Sequence, residues 1–399
     1  MKTYTPFEYL LIDIATHAGI NGIDKGTFEQ RIEWAKDNMD NLSAFIGQAD
    51  EPYLYQSALI ALDEVKAGKP TGHAVGLDAI ASGFQILGVL TGCVKCATHT
   101  GMIDPDVRSD AYEVCNTTMN KMLPMGITCN FVRGDVKDAM MPWAYGSYNR
   151  PIELFGEETV EYEAFIDSME EEFPGAVIAR ETLMNAWRAF AIAHEFVMPD
   201  GHTVYLPTTD KVSYDLEYDI DGESISIPHR IESIVPSARG IKLVAHVTHA
   251  TDGYVVREME MRALTPRATL QSMREHLELV IALRDDDTPA TKRCLSLGIL
   301  LNPAIQYIDY TKGDLVRLLA LVDMVMEYQA YDLYAIHDAY HCSPVHMNRT
   351  RFMYREIMAE IADSDLFSDI LTQLAGRKVR FKKLGNIGNK VRKSNYPLA

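Results

Sequence analysis

Asp78 closes the short apolar run Ala74-Val-Gly-Leu-Asp78, and Asp338 closes Leu333-Tyr-Ala-Ile-His337-Asp338. Both runs read as short buried strands that end in an acid. Carboxylates carried by rigid strands are what a two-metal phosphoryl-transfer site needs, because they hold two Mg²⁺ ions about 3.5 to 4 Å apart. An isolated acid at a strand end is ordinarily a turn residue or a helix cap, so the pair draws its meaning from what lies between. There the chain reads Arg133-Gly-Asp-Val-Lys137-Asp-Ala-Met-Met-Pro-Trp-Ala-Tyr145-Gly146-Ser147. On a helix, Arg133 and Lys137 stand one turn apart on one face and can grip the same triphosphate, with Tyr145 further along that broad face. A surface helix with incidental charge accounts for the Arg and Lys alone; it leaves the Tyr-Gly-Ser end unexplained.

The elements that must position these residues follow from periodicity and punctuation. Phe28, Ile32, Ala35, Met39 and Leu42 fall at helical spacing and predict an amphipathic helix over 28–47. Residues 74–79 predict a strand, and 82–90 resume helical spacing. Asp104 as a cap with Pro105 in the first turn predicts a helix that runs through about Met122. Pro142 removes a backbone donor and clashes one turn back at Asp138, so the Arg133 helix should kink or end there. Alternating segments from 195 to 247, punctuated by Asp200-Gly201 and Asp221-Gly222, predict β-hairpins. Residues 312–329 predict a strong helix. With no internal repeat and no low-complexity linker, the parts should interleave in one body.

A chain of 399 residues with 47% hydrophobic and 24% charged residues is expected to fold around a substantial core. It has no apolar run of eighteen or more residues and no secretion signal at its amino terminus, so it is expected to be soluble and cytoplasmic, with no membrane partner. The six cysteines are too sparse for a disulfide scaffold. Cys93-Val-Lys-Cys96 followed by His99 has the spacing of half a zinc site, without a second pair to close it. The net charge of -18 argues against a protein that coats nucleic acid non-specifically. Arg377 to Lys393 departs from that average, with eight basic residues and no acidic one, and reads either as a solvated tail or as a segment laid along a phosphate backbone. Acid is concentrated in Glu153 to Glu172, most simply a solvated helical face.

Taken together, these motifs resemble the phage-type and mitochondrial single-subunit DNA-dependent RNA polymerases. Asp78-Ala-Ile-Ala-Ser82-Gly83-Phe-Gln85 is similar to their motif A, Arg133-x3-Lys137-x7-Tyr145-Gly146 to motif B, and Ile336-His337-Asp338 to motif C, in the family's order. Upstream, His17 to Lys25 and Phe28-x2-Arg31-Ile32 resemble the segment before motif A, whose lysine contacts the incoming nucleotide's phosphates. Ser394 to Ala399 resembles the family's tail near the active site. The resemblance implies an α/β (α+β) right-hand polymerase, mostly helical with a small antiparallel palm sheet and hairpin insertions. It divides the chain into 1–100 (palm with motif A), 101–300 (fingers with motif B and a specificity-type hairpin region at about 195–260) and 301–399 (palm return with motif C, and tail). It implies two Mg²⁺ held by Asp78, Asp338 and the Ala79 carbonyl, with Lys25, Arg133 and Lys137 neutralising the triphosphate. Tyr145 would sit beside the ribose, with Gly146 and His337 completing the nucleotide-binding motifs. Tyr112 would line the nucleotide pocket, and Gln306 would meet the primer–template end. DNA template, RNA transcript and ribonucleoside triphosphates are the implied partners, in the cytoplasm of an infected bacterial host.

DNA polymerases of the wider superfamily carry a glutamate five residues after the motif A aspartate, where this chain has Gly83, so ribonucleotides are favoured. A DNA polymerase of the same superfamily and a non-catalytic subunit that kept the fold stand as alternatives. Residues 250–300 look like an insertion or a rebuilt segment before the 312–329 helix, with no function assigned. Family members also have an amino-terminal domain, a thumb and a further palm segment ahead of the point where this sequence begins. The expectation is a second, smaller subunit that supplies them, as in the heterodimeric RNA polymerases of N-four-type podophages, whose larger subunit this chain resembles.

Overall fold

The computed structural model describes residues 1–125, 131–220, 223–236, 240–302 and 307–399. It is a mixed α/β structure, largely helical, with small antiparallel sheets. The chain opens with helix α1 (Pro6–Ala18), started by a reciprocal capping box between Thr5 and Glu8 and stopped at Gly19 in the left-handed region. Helix α2 (Phe28–Asp37) begins with a second box, Thr27 with Gln30. Helix α3 (Pro52–Lys66) follows, then strand β1 (Val75–Asp78), helix α4 (Ser82–Thr91) and helix α5 (Val94–His99). Every residue of α4 is buried, which makes it a core element rather than a surface helix. Each of its large apolar side chains, such as Phe84 or Leu87, contributes about 1.5 to 3 kcal/mol by that burial.

The middle of the chain carries α6 (Ala111–Met122), α7 (Arg133–Ala144), α8 (Asn149–Phe155), α9 (Val160–Glu172) and α10 (Pro174–Asn185). Two hairpins come next, β2 (Ala193–Val197) with β3 (Thr203–Pro207) and β4 (Thr209–Ile220) with β5 (Glu223–Pro236). Helices α11 (Ile241–Leu264), α12 (Arg267–Ala282), α13 (Gly298–Leu301) and α14 (Lys312–Met326) lead to strands β6 (Leu333–Ile336) and β7 (Ala339–Cys342). Helices α15 (Met347–Asp363), α16 (Leu366–Ala375) and α17 (Gly388–Val391) complete the chain. One core cluster gathers buried side chains from Tyr4 to Ala399, so the first and last segments share an interior. A second gathers α12, α14 and residues around Leu297.

Three expectations are corrected. The helix predicted over 28–47 ends at Asp37, and 42–48 form a 3₁₀ turn. Asn38 donates its side-chain amide to the Trp34 carbonyl at 2.8 Å, an example of how the Asp-Asn-Met-Asp-Asn run competes with the helix for backbone partners. Asp104 does not start a helix: its carboxylate closes a turn by accepting from the Asp106 and Val107 amides, and α6 waits for Asp110, which caps Tyr112 and Glu113. The hairpin region predicted to about 247, or about 260 at its widest, stops at Pro236. From Ile241 the chain is helical, because Val244, Val247, Thr248, Thr251, Tyr254, Val255 and Glu258 bury one face at helical spacing. That helix also covers the first part of the 250–300 segment. The Asp221-Gly222 turn lies outside the described residues; Asp200-Gly201 does turn β2 into β3, with Gly201 at φ 85°.

Candidate functional site: a cationic cleft around two aspartates

Strands β1, β7 and β6 form one antiparallel sheet in that order. Its register pairs Asp78 with Ala339, so Asp78 lies one residue of register from Asp338. The Ala79 amide donates to the Asp338 carbonyl at 3.2 Å and fixes the two chain ends together. His337 and Asp338 make the two-residue turn between β6 and β7, with His337 at φ 56°. On the other side of the site Ala81, at φ 51°, turns the chain from β1 into α4. A left-handed residue with a side chain costs about 1 to 2 kcal/mol. Two of the four such residues among those described flank the aspartates, and strain of this kind gathers where a backbone is held for a purpose.

An open cleft of about 870 Å³ surrounds the pair. Lys25, Asp78, Ala79, Ser82, Gly83, Arg108, Tyr112, Arg133, Lys137, Tyr145 and Asp338 all line it, so residues expected from separate motifs meet in one place. Asp78 keeps an exposed face toward the cleft yet sits deep in the protein's mass. Burial and then the charge of Asp338 push its carboxyl up to about 6, against the opposing pull of the Ala79 amide, Lys137 and Lys25. Burial and the neighbouring carboxylate thus both disfavour the ionised form of Asp78.

The cations line the same cleft. Arg133 donates Nε to Asp110 Oδ2 at 2.6 Å, while the other oxygen of the same carboxylate caps α6, so one side chain fixes both a helix start and the guanidinium. Arg133 and Lys137 both lie over the Tyr112 ring, 5.3 and 6.0 Å from its centre. Lys137 is exposed and makes no ion pair among the described residues, whereas Lys25 rests on Asp24. Helix α7 runs two residues past Pro142 and ends at Tyr145, whose amide turns back to the Pro142 carbonyl. The proline thus sets the helix end, and Tyr145 leaves the regular helical face but still lines the cleft.

Tyr145 meets Ser82 with its hydroxyl and stacks its ring on His249 at 4.4 Å and 19°. A Cβ at Gly83 would crowd Ala144 Cβ at 3.2 Å and touch the Tyr145 ring at 3.5 Å, so the glycine keeps the tyrosine's edge clear of a side chain. Gly146, at φ 100°, lets the chain pass against Ile241 of α11, where a Cβ would come within 2.9 Å of Ile241 Cγ2.

Three residues escaped the sequence reading. Arg108 lines the cleft, gives Nη1 to the Lys25 carbonyl at 3.2 Å, and has a buried Nε without a partner among the described atoms. His249 supports Tyr145. Asp252 lies in the field of Asp338: burial, then that charge, push its carboxyl up to about 6, with His337 opposing. The repeated step of three in His246-x2-His249-x2-Asp252 was the available signal for the last two, since on a helix such residues share a broad face.

No protein-family model matches the chain, and no curated protein matches it significantly. Ala399 lines the cleft and donates its amide to the Asp78 carbonyl at 2.9 Å, and Leu398 bridges to Ala79. Gln306 lies outside the described residues. Among those described, no three His, Cys, Asp or Glu side chains gather as a metal-holding group. His99 turns to Glu172 Oε2 at 2.9 Å, and Cys93 and Cys96 are free thiols that share a hydrogen bond. Among the described residues, no helix is long and apolar enough to cross a membrane.

Proposed function

We propose that this chain is the catalytic subunit of a DNA-dependent RNA polymerase, joining ribonucleotides on a DNA template by two-metal nucleotidyl transfer. The observation that carries the reading is the meeting of Asp78, Asp338, Lys25, Arg133, Lys137 and Tyr145 in one cleft. The donor set suits Mg²⁺, since carboxylates and the Ala79 carbonyl are hard oxygen ligands, and a cation would offset both the burial and the Asp338 charge that raise the Asp78 carboxyl. Bound there, two Mg²⁺ would activate the attacking hydroxyl and offset the charge of the departing pyrophosphate.

The chain's own residues would do the rest. Lys137 and Arg133 bind and orient the triphosphate, the latter held in place by Asp110, and Lys25 and Arg108 extend the same cationic wall. Tyr145 lies beside the ribose, and Gly83 leaves room for a 2′-hydroxyl. The palm-and-fingers architecture belongs to this proposal, as does a smaller second subunit. A net charge of -18 on a template-handling chain favours a partner that adds basic surface. The test is extension of a primed DNA template with Mg²⁺ by the full chain, together with any polypeptide that co-purifies with it. Ribonucleotide-dependent extension is expected; extension with deoxyribonucleotides alone would assign a DNA polymerase, and no extension a binding subunit.

A further inference from the structure

The basic segment 377–393 is anchored and ordered in alternation. Residues 377–387 form neither helix nor strand and run beside α16 and the end of α4, with exposed and half-buried residues alternating from 378 to 386. Val379 exchanges hydrogen bonds with Thr372 Oγ1, the Phe381 amide bonds to Ser368 Oγ at 3.0 Å, and the Leu384 amide bonds to the Thr91 carbonyl at 2.8 Å. Val379 and Phe381 pack on the main core, and Lys383 turns inward to the Ile361 and Ala362 carbonyls. Lys378, Arg380 and Lys382 therefore all point outward, and all are exposed. Successive outward cations on an extended chain stand about 6.6 Å apart, two residues at about 3.3 Å each.

These charges are unspent. Arg377, Lys378, Arg380 and Lys382 make no ion pair among the described residues, and neither does exposed Lys292. Arg380, Lys382 and Lys292 line one groove with Lys383, Asp363 and Asp365. Asp363 is already held by Arg392 at 2.6 Å, which leaves the groove with a positive balance. In a chain of net charge -18, the local sign is reversed. The place is close to the cleft as well: α4 starts at the cleft with Ser82 and ends at Thr91, where the segment is pinned, and ten residues of helix span about 15 Å.

We propose that the outward face of residues 377–382, with Lys292, is a track for the phosphate backbone of a nucleic-acid single strand entering or leaving the cleft. A single row of cations follows one backbone, and contacts of this kind bind without reading sequence. The choice of a polynucleotide rests on the polymerase reading, but the binding does not need catalysis. The experiment measures affinity of the full chain for a short mixed-sequence oligonucleotide, as DNA and as RNA, across a salt series without Mg²⁺ or nucleotides. The variant Lys378→Gln/Arg380→Gln/Lys382→Gln should bind at least one of the two tenfold or more weakly at low salt. Its salt slope should fall by about 2, three contacts at about 0.7 each. A control, Lys36→Gln/Lys66→Gln/Lys69→Gln, removes equally exposed charge elsewhere and should bind as wild type does. Unchanged affinity and slope in the first variant for both strands, or an equal loss in the control, overturns the track. If wild type extends primers while the variant binds normally, the track alone falls; if binding is lost but wild type adds no nucleotide, the polymerase reading alone falls.

Discussion

Tyr145 sets its hydroxyl toward Ser82, its ring face on His249 and its ring edge beside Gly83, which has no side chain to meet it. Tyr145→Phe removes the hydroxyl and keeps the stack. Nucleotide addition should continue, while the preference for ribo- over deoxyribonucleotides drops by the value of one such bond, about 1 to 3 kcal/mol or roughly 5- to 150-fold. An unchanged incorporation ratio would remove Tyr145 from sugar selection. Asp252 gives a stability test of opposite sign to the usual core mutation. Its folded carboxyl is raised, by burial first and Asp338 second, to about 6 from an ordinary 3.8, so the folded chain binds that proton more tightly than the unfolded one. The resulting penalty is absent below about pH 4, grows through pH 6 and is full above it. Asp252→Asn should therefore stabilise the metal-free protein at pH 7 by about 1 to 2 kcal/mol and leave it unchanged near pH 4. Urea unfolding at the two pH values decides, and a variant less stable at pH 7 contradicts the account. At this scale the sequence disclosed residues that sit in recognisable strings, such as Arg133-x3-Lys137. Arg108 was illegible because its place depends on Lys25, distant in the chain, and the helical spacing that marks Asp252 says nothing of its nearness to Asp338.

Strands β1 and β6 were legible because a short apolar run ending in an acid has few other uses. Helix ends were harder, since a single side chain decides them: Asn38 closes α2, and Asp110 rather than Asp104 opens α6. Behind β1, the buried Asp13 of α1 joins elements that no periodicity links. Its carboxylate takes the Gly76 amide at 3.2 Å and His73 Nε2 at 2.8 Å, and it lies 3.5 Å from His17 Nε2, whose Nδ1 reaches Glu51 at 2.6 Å. Burial favours neutral His17, but the bonds to Asp13 and Glu51 outweigh it and raise its pKa to about 9 from 6.5. A raised histidine stabilises the fold fully below pH 6.5, and that contribution is lost as pH rises through 9. His17→Gln should cost about 1 to 3 kcal/mol at pH 6, with the deficit shrinking toward pH 10 as wild type loses the same charge. Thermal melts of both proteins across that range provide the check, and a deficit independent of pH would assign His17 a packing role only.

Across the whole molecule, the charge of -18 coexists with a cationic cleft wall and a basic ribbon, so composition concealed the distribution that matters. The fold's layout was equally hidden from local patterns. The register of β1 on β7, which places Asp78 beside Asp338, and the shared core from Tyr4 to Ala399 join segments that lie far apart in the chain. The central claim is that the two aspartates form one nucleotidyl-transfer site, and single-nucleotide addition to a primed DNA template tests it most directly. Wild type, Asp78→Ala and Asp338→Ala would be compared with Mg²⁺, after circular dichroism has shown each variant folded. The account predicts loss of several decades of rate in each variant, at about 1.4 kcal/mol of barrier per decade. Addition by either folded variant at near wild-type rate would contradict it.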